Sequence, residues 1–128
     1  MAEAAVLDSS ALLALLHAEP GAERVAPYVA EARISVVNLA ETLIVLQRHG
    51  VPHAEAERAL DALALDVVPA EAAIAHEAAR IAATARGHGL SLGDVFCLAT
   101  ARALDLPAVT ADRAWAKLKV GVKVVVVR

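Results

Sequence analysis

Four acidic residues, Asp8, Glu41, Asp94 and Asp112, stand where chemistry could be done. Asp8 closes the short apolar run Ala4-Ala5-Val6-Leu7, and Asp112 closes Val109-Thr110-Ala111. Glu41 follows the β-branched stretch Ile34-Ser35-Val36-Val37, and Asp94 ends Ser91-Leu92-Gly93-Asp94 at the start of an apolar helical pattern. Each acid also has a purely local explanation. Asn38-Leu39-Ala40-Glu41 resembles a capping box, and Ser91 to Asp94 is a looser version of it. Asp8 and Thr110 suit helix N-caps, and Asp112 suits the positive end of a helix dipole. Capping explains the acids one at a time, however, and does not require them to meet. Carboxylates brought within a few ångströms repel, raise one another's pKa, and are stable together as anions only with a cation. Hard oxygen donors with retained waters select Mg²⁺ or Mn²⁺. A cation held that way suits phosphodiester hydrolysis, because it acidifies a water and stabilises charge on the attacking and leaving oxygens.

Whether the acids meet depends on the elements that carry them. Strands are expected at 4–7, 33–37, 66–68, 107–109 and 123–127. Helices are expected at 11–18, 22–32, 38–48, 54–65, 70–86, 92–104 and 111–118, punctuated by Pro20-Gly21, Gly50, Pro52, Pro69 and Gly87-His88-Gly89. Strands separated by helical stretches need crossover connections, so the sheet is expected to be parallel and the class α/β. The strands are apolar on both faces, as in a sheet covered by helices on both sides. Ligands of such sheets bind outside the carboxyl ends of the strands, the edge to which Asp8, Glu41 and Asp112 belong.

The same stretches resemble the PIN-domain nucleases, in particular the toxins of VapBC-type toxin–antitoxin pairs. Val6-Leu7-Asp8-Ser9-Ser10-Ala11-Leu12-Leu13-Ala14 is similar to the family's first motif and Ser35-Val36-Val37-Asn38-Leu39-Ala40-Glu41 to its second. Leu90-Ser91-Leu92-Gly93-Asp94-Val95-Phe96-Cys97-Leu98-Ala99-Thr100-Ala101 is the most specific stretch, and Val109-Thr110-Ala111-Asp112-Arg113-Ala114-Trp115 resembles the fourth motif. The likeness runs over essentially the whole chain, with no acidic position missing, and implies a single domain over residues 1–128. It further implies a three-layer α/β/α fold with a five-stranded parallel sheet. The implied activity is Mg²⁺- or Mn²⁺-dependent cleavage of single-stranded RNA, often tRNA or rRNA. A homodimer and a small antitoxin that covers the active site complete what the resemblance implies. On it, Asp8, Asp94 and Asp112 are metal ligands. Glu41 either binds the metal or orients a water on it, and Ser9 and Thr110 are donors that support the carboxylates.

Composition bounds the remaining classes. The chain has 128 residues, 59% of them hydrophobic, enough for a core without disulfides or a structural metal. Aromatic residues make up 2%, which argues against a stacking platform for bases. The net charge of −3 is not that of a nucleic-acid-coating protein, although four carboxylates in one pocket would more than account for it. RNA must still meet positive charge, and Arg113, Lys117 and Lys119 follow the fourth acid, while Arg48 and His49 end the helix carrying Glu41. The single cysteine, Cys97, and the absence of a basic segment before an apolar run suit the cytoplasm, and no membrane span is expected.

Other signals carry less. His76-Glu77-Ala78-Ala79-Arg80 begins like a zinc-protease motif but has arginine where the second histidine belongs. Cys97 beside Phe96 reads as a small core residue and Trp115 as core or dimer packing. A haloacid-dehalogenase-like phosphatase needs an Asp at position 10, which is Ser10, and a receiver domain needs an acidic pair and a late lysine that are missing. The alternative from another class is a non-catalytic binding module, in which Leu12, Leu13, Leu15, Leu16, Val25 and Val29 leave an apolar groove for a partner helix.

Overall fold

The computed structural model describes residues 3–128. Its strands are β1 (Ala5–Leu7), β2 (Ala32–Ser35), β3 (Asp66–Val68), β4 (Ala108–Thr110) and β5 (Val124–Val126). Its helices are α1 (Ser9–Leu16), α2 (Ala22–Val25), α3 (Val36–Arg48), α4 (His53–Ala62), α5 (Ala72–Thr84) and α6 (Leu92–Leu104). Two 3₁₀ segments, Ala26–Glu31 and Arg113–Lys117, precede β2 and β5. The strands form one five-stranded sheet in the order β3-β2-β1-β4-β5, with every pair parallel. The chain leaves β1 towards β2 and β3, then returns to place β4 on β1's other side. The switch point of the sheet therefore lies between the carboxyl ends of β1 and β4, where open parallel sheets form a crevice.

Alternation along each strand divides the core. Val6 and Ala108 face Ala78, Ile81, Leu98 and Trp115 of one layer. Ala5, Leu7 and Val109 face Ala11 of α1 and Val25 of α2, and Ile34 packs with Leu12 and Leu60 on the same side. Both sheet faces are thus covered, giving the expected three-layer α/β/α fold. On the second face Leu12 and Val25 are fully buried, and Leu13, Leu15, Leu16 and Val29 half-buried. The apolar residues of the binding-module reading are therefore mostly core. Among the described residues no helix is long and apolar enough to cross a membrane.

Several elements differ from expectation, each for a local reason. The helix expected over 22–32 is one α-turn followed by a 3₁₀ run, because Pro27 removes an amide donor and crowds the preceding turn. The strand expected over 33–37 stops at Ser35. The Ser35 hydroxyl accepts a hydrogen bond from the Val37 amide at 3.2 Å, so Val36 and Val37 enter α3 despite their β-branching. Asn38 is accordingly the third residue of α3 and not its cap, and Glu41 lies in the second turn and not the first. The helix expected over 111–118 is the 3₁₀ segment Arg113–Lys117, capped by Asp112.

Candidate active site

Asp8 follows β1 and caps α1. Its backbone amide bonds the Val109 carbonyl of β4 at 3.0 Å, which fixes the carboxylate at the switch point. Asp8 Oδ1 accepts from the Ala11 amide and from Ser10 Oγ, both at 2.8 Å. Asp8 Oδ2 accepts from Thr110 Oγ1 at 2.6 Å. Thr110 Oγ1 accepts in turn from the Asp112 amide at 3.0 Å, and Ser10 Oγ from the Ala111 amide at 2.9 Å. One short network therefore ties the acid after β1 to the acid after β4. Asp112 Oδ1 accepts from the Ala114 amide at 2.9 Å, and its side chain is exposed.

The other two acids come from α3 and α6. Glu41 Oε1 accepts from Ser9 Oγ at 2.7 Å and from Asn38 Nδ2 at 2.9 Å. Its carboxylate lies on Gly93, where any Cβ would overlap it. Asp94 completes a capping box: its Oδ2 accepts from the Ser91 amide at 2.8 Å, and Ser91 Oγ accepts from the Asp94 amide at 3.2 Å. Chain adjacency closes the circuit. Ser9 follows Asp8 and touches Glu41, Glu41 rests on Gly93, and Gly93 precedes Asp94.

Electrostatics follow this geometry. Asp8 is 4% exposed, and burial outweighs its hydrogen bonds from Thr110, Ala11 and Ser10, so its pKa rises from 3.8 to about 6, with the Asp94 charge adding to the rise. Asp94 is also pushed up, first by burial and then by the charges of Glu41 and Asp112, against the hydrogen bonds from Ser91. Cys97 is fully buried, and burial together with the charges of Asp8, Asp94 and Glu41 raises its thiol well above the ordinary value. It is a core residue held neutral, not a nucleophile.

A set of four carboxylates, Asp94 feeling the charges of Glu41 and Asp112 and Asp8 that of Asp94, is an all-oxygen donor set that fits a hard divalent cation. Among the described residues, no three of them are drawn together as a ready-made cage. Asp94 instead bonds the Ser91 amide, and Glu41 bonds Ser9 and Asn38.

The expected basic residues are dispersed. Arg113 and Lys117 are exposed just after Asp112, with Arg113 Nε donating to the Arg128 carbonyl at 3.1 Å. Arg48 and His49 are exposed at the far end of α3, and Arg48 lies about 10 Å along the helix from Glu41. Lys119 lines a separate cavity of about 390 Å³ with Glu77, Arg80 and Arg102, so it does not flank the acids. Glu77, from the incomplete zinc-protease motif, pairs with Arg80 at 2.9 Å and Arg102 at 3.2 Å.

Sequence reading missed Ser10 and Asn38 as members of this cluster. Ser10, two residues after Asp8, was legible as a first-turn hydroxyl able to reach back to its cap. Asn38 was not, because its role depends on α3 being capped at Ser35 and beginning at Val36.

The sequence profile of the PIN domain matches residues 5–121. This chain belongs to the PIN domain family. PIN domains are generally nucleases that use a divalent metal. Solved structures with the same fold include a toxin–antitoxin complex from Klebsiella pneumoniae, at a TM-score of 0.75 and 20% identity over 97% of this PIN domain and 98% of that chain. DNA-bound VapBC from Salmonella typhimurium matches at a TM-score of 0.73 and 18% identity, covering 98% of both chains. VapBC-5 from Mycobacterium tuberculosis matches at a TM-score of 0.63 and 24% identity, also over 98% of both chains. A search of curated proteins found no match.

Proposed function

We propose that this PIN domain is a metal-dependent endoribonuclease, the toxin of a VapBC-type toxin–antitoxin pair, with residues 1–128 acting as a single domain. The observation that carries the reading is the circuit of Asp8, Glu41, Asp94 and Asp112 at the switch point, cross-linked through Ser9, Ser10, Asn38 and Thr110. Asp8, Asp94 and Asp112 would hold Mg²⁺ or Mn²⁺, and Glu41 would join them or orient a water. When bound, such a cation supplies Lewis-acid activation of water and offsets charge building on the scissile phosphate. The chain's own contribution is to fix the carboxylates beforehand. Thr110 and Ser10 orient Asp8 and favour its anion, and Ser9 and Asn38 set the direction of Glu41. The substrate is single-stranded RNA, within tRNA or rRNA, with Arg113 and Lys117 beside Asp112, and Arg48 further off, meeting its phosphates.

Two kinds of support favour an antitoxin partner. The similar solved structures include toxin–antitoxin complexes. This chain also has a largely apolar pocket of about 190 Å³ between α1, α3 and α4, lined by Leu16, Leu46, Val51 and Ala56 together with His17 and Glu55, that suits one apolar side chain of a partner. A homodimer and a cytoplasmic location complete the proposal. The test is RNA cleavage by wild type and Asp8→Asn in Mg²⁺, Mn²⁺ and EDTA. Cleavage is expected only from wild type with metal. Equal cleavage by a folded Asp8→Asn protein would remove the mechanism.

A further inference from the structure

We infer that Asn38 and Gly93 form a two-helix clamp that positions Glu41, a role resting on the nuclease reading above. Asn38 is 1% exposed, and its side chain points from α3 towards α6. Its Nδ2 donates to Glu41 Oε1 at 2.9 Å and to the Gly93 carbonyl at 3.1 Å, which uses both amide protons. Ser9 Oγ lies 3.3 Å from the same nitrogen and donates to the same Glu41 oxygen. Oε1 therefore receives two donors. Among the described residues no hydrogen bond reaches Oε2, and the Glu41 charge acts on Asp94.

Two features of the clamp cost the fold stability. Among the described residues Asn38 Oδ1 is buried with no partner, a costly arrangement that folded chains keep rarely. Gly93 stands inside the first turn of α6, where alanine would strengthen the helix. Its backbone is not left-handed, so conformation does not require glycine. Space does: a Cβ there would overlap the whole Glu41 carboxylate. Asn38 pulls Glu41 onto α6, and Gly93 leaves the seat for it beside Asp94. Both are positioning residues for Glu41.

The test is Mn²⁺ affinity, read from the electron paramagnetic resonance of the free ion. Wild type, Asn38→Ala and Gly93→Ala are compared, each checked for cooperative unfolding, and then both substitutions are repeated in a Glu41→Ala background. Each single variant is expected to bind Mn²⁺ about 10–100-fold more weakly than wild type. In the Glu41→Ala background neither substitution is expected to weaken binding further, since nothing remains to be positioned. Should Asn38→Ala fail to fold, Gly93→Ala carries the test, because Glu41 is half-buried and can swing aside. Unchanged affinity in the folded variants, or an equal loss without Glu41, overturns the clamp and leaves the nuclease reading standing. Failure of wild type itself to bind Mn²⁺ overturns both.

Discussion

Replacing Asp8 by asparagine is expected to make the metal-free protein more stable at neutral pH, and only there. Asp8 is 4% exposed, with its pKa raised from 3.8 to about 6. Unfolding returns it to the ordinary value, so between those two pH values the folded chain holds a proton that the unfolded chain has released. Stability from this group is fully present below pH 3.8 and is lost as the pH rises through about 6. Integrated, the titration of Asp8 lowers the stability of the fold by about 1 kcal/mol at pH 4.5, where only the unfolded chain is largely ionised, and by about 3 kcal/mol at pH 7.5. Asparagine removes that dependence. It keeps an acceptor for the Ala11 amide but cannot accept the Thr110 hydroxyl proton, a loss of about 1 kcal/mol at every pH. Urea unfolding in EDTA at both pH values isolates the difference. With a slope of about 2 kcal/mol/M, the variant's midpoint relative to wild type should rise by about 1 M between pH 4.5 and 7.5. A relative midpoint that stays constant over this range, or moves the other way, would refute the claim that burial governs this carboxylate.

Three further outcomes follow from the same site and its frame. Mn²⁺ at 100 times its dissociation constant should stabilise wild type by about 2.7 kcal/mol in thermal unfolding, and the effect should fade below about pH 6 as Asp8 takes up its proton. Thr110→Val removes a donor to the Asp8 anion and should raise the Asp8 pKa further. The pH at which Mn²⁺ stabilises half-maximally should shift upward, whereas a downward shift would contradict the hydrogen-bond network. Gly21→Ala should cost about 2 kcal/mol or more in urea unfolding, because Gly21 has φ +100 and an added Cβ would meet the Val127 carbonyl.

Sheet class and layering were legible because the strands are short apolar runs separated by helical stretches, a pattern with few solutions. The positions of Asp8 and Asp94 were legible too, since an acid ending an apolar strand and a Ser-x-x-Asp capping box are both fixed by neighbours in the chain. What escaped the sequence depended on competition between local signals. Val36 and Val37 favour a strand, yet the Ser35 hydroxyl caps the Val37 amide and draws them into α3. That single choice moved Glu41 to the second turn and turned Asn38 from a supposed cap into a bridge between α3 and α6. Pro27 was visible, but alanine-rich flanks masked its effect on the segment after Gly21. Lys119 was placed near Asp112 by sequence distance, while the turn after the 3₁₀ segment carries it to a different cavity.

The most direct test of the central claim is cleavage of a fluorescent single-stranded RNA pool by wild type and by Asp94→Asn, each with Mg²⁺, with Mn²⁺ and with EDTA. Asp94 is the acid on which the charges of both Glu41 and Asp112 act, and Asp8 senses it in turn. The account predicts cleavage by wild type in either metal, none in EDTA, and none by Asp94→Asn with its fold intact. Cleavage that survives EDTA, or that persists in folded Asp94→Asn, would contradict it.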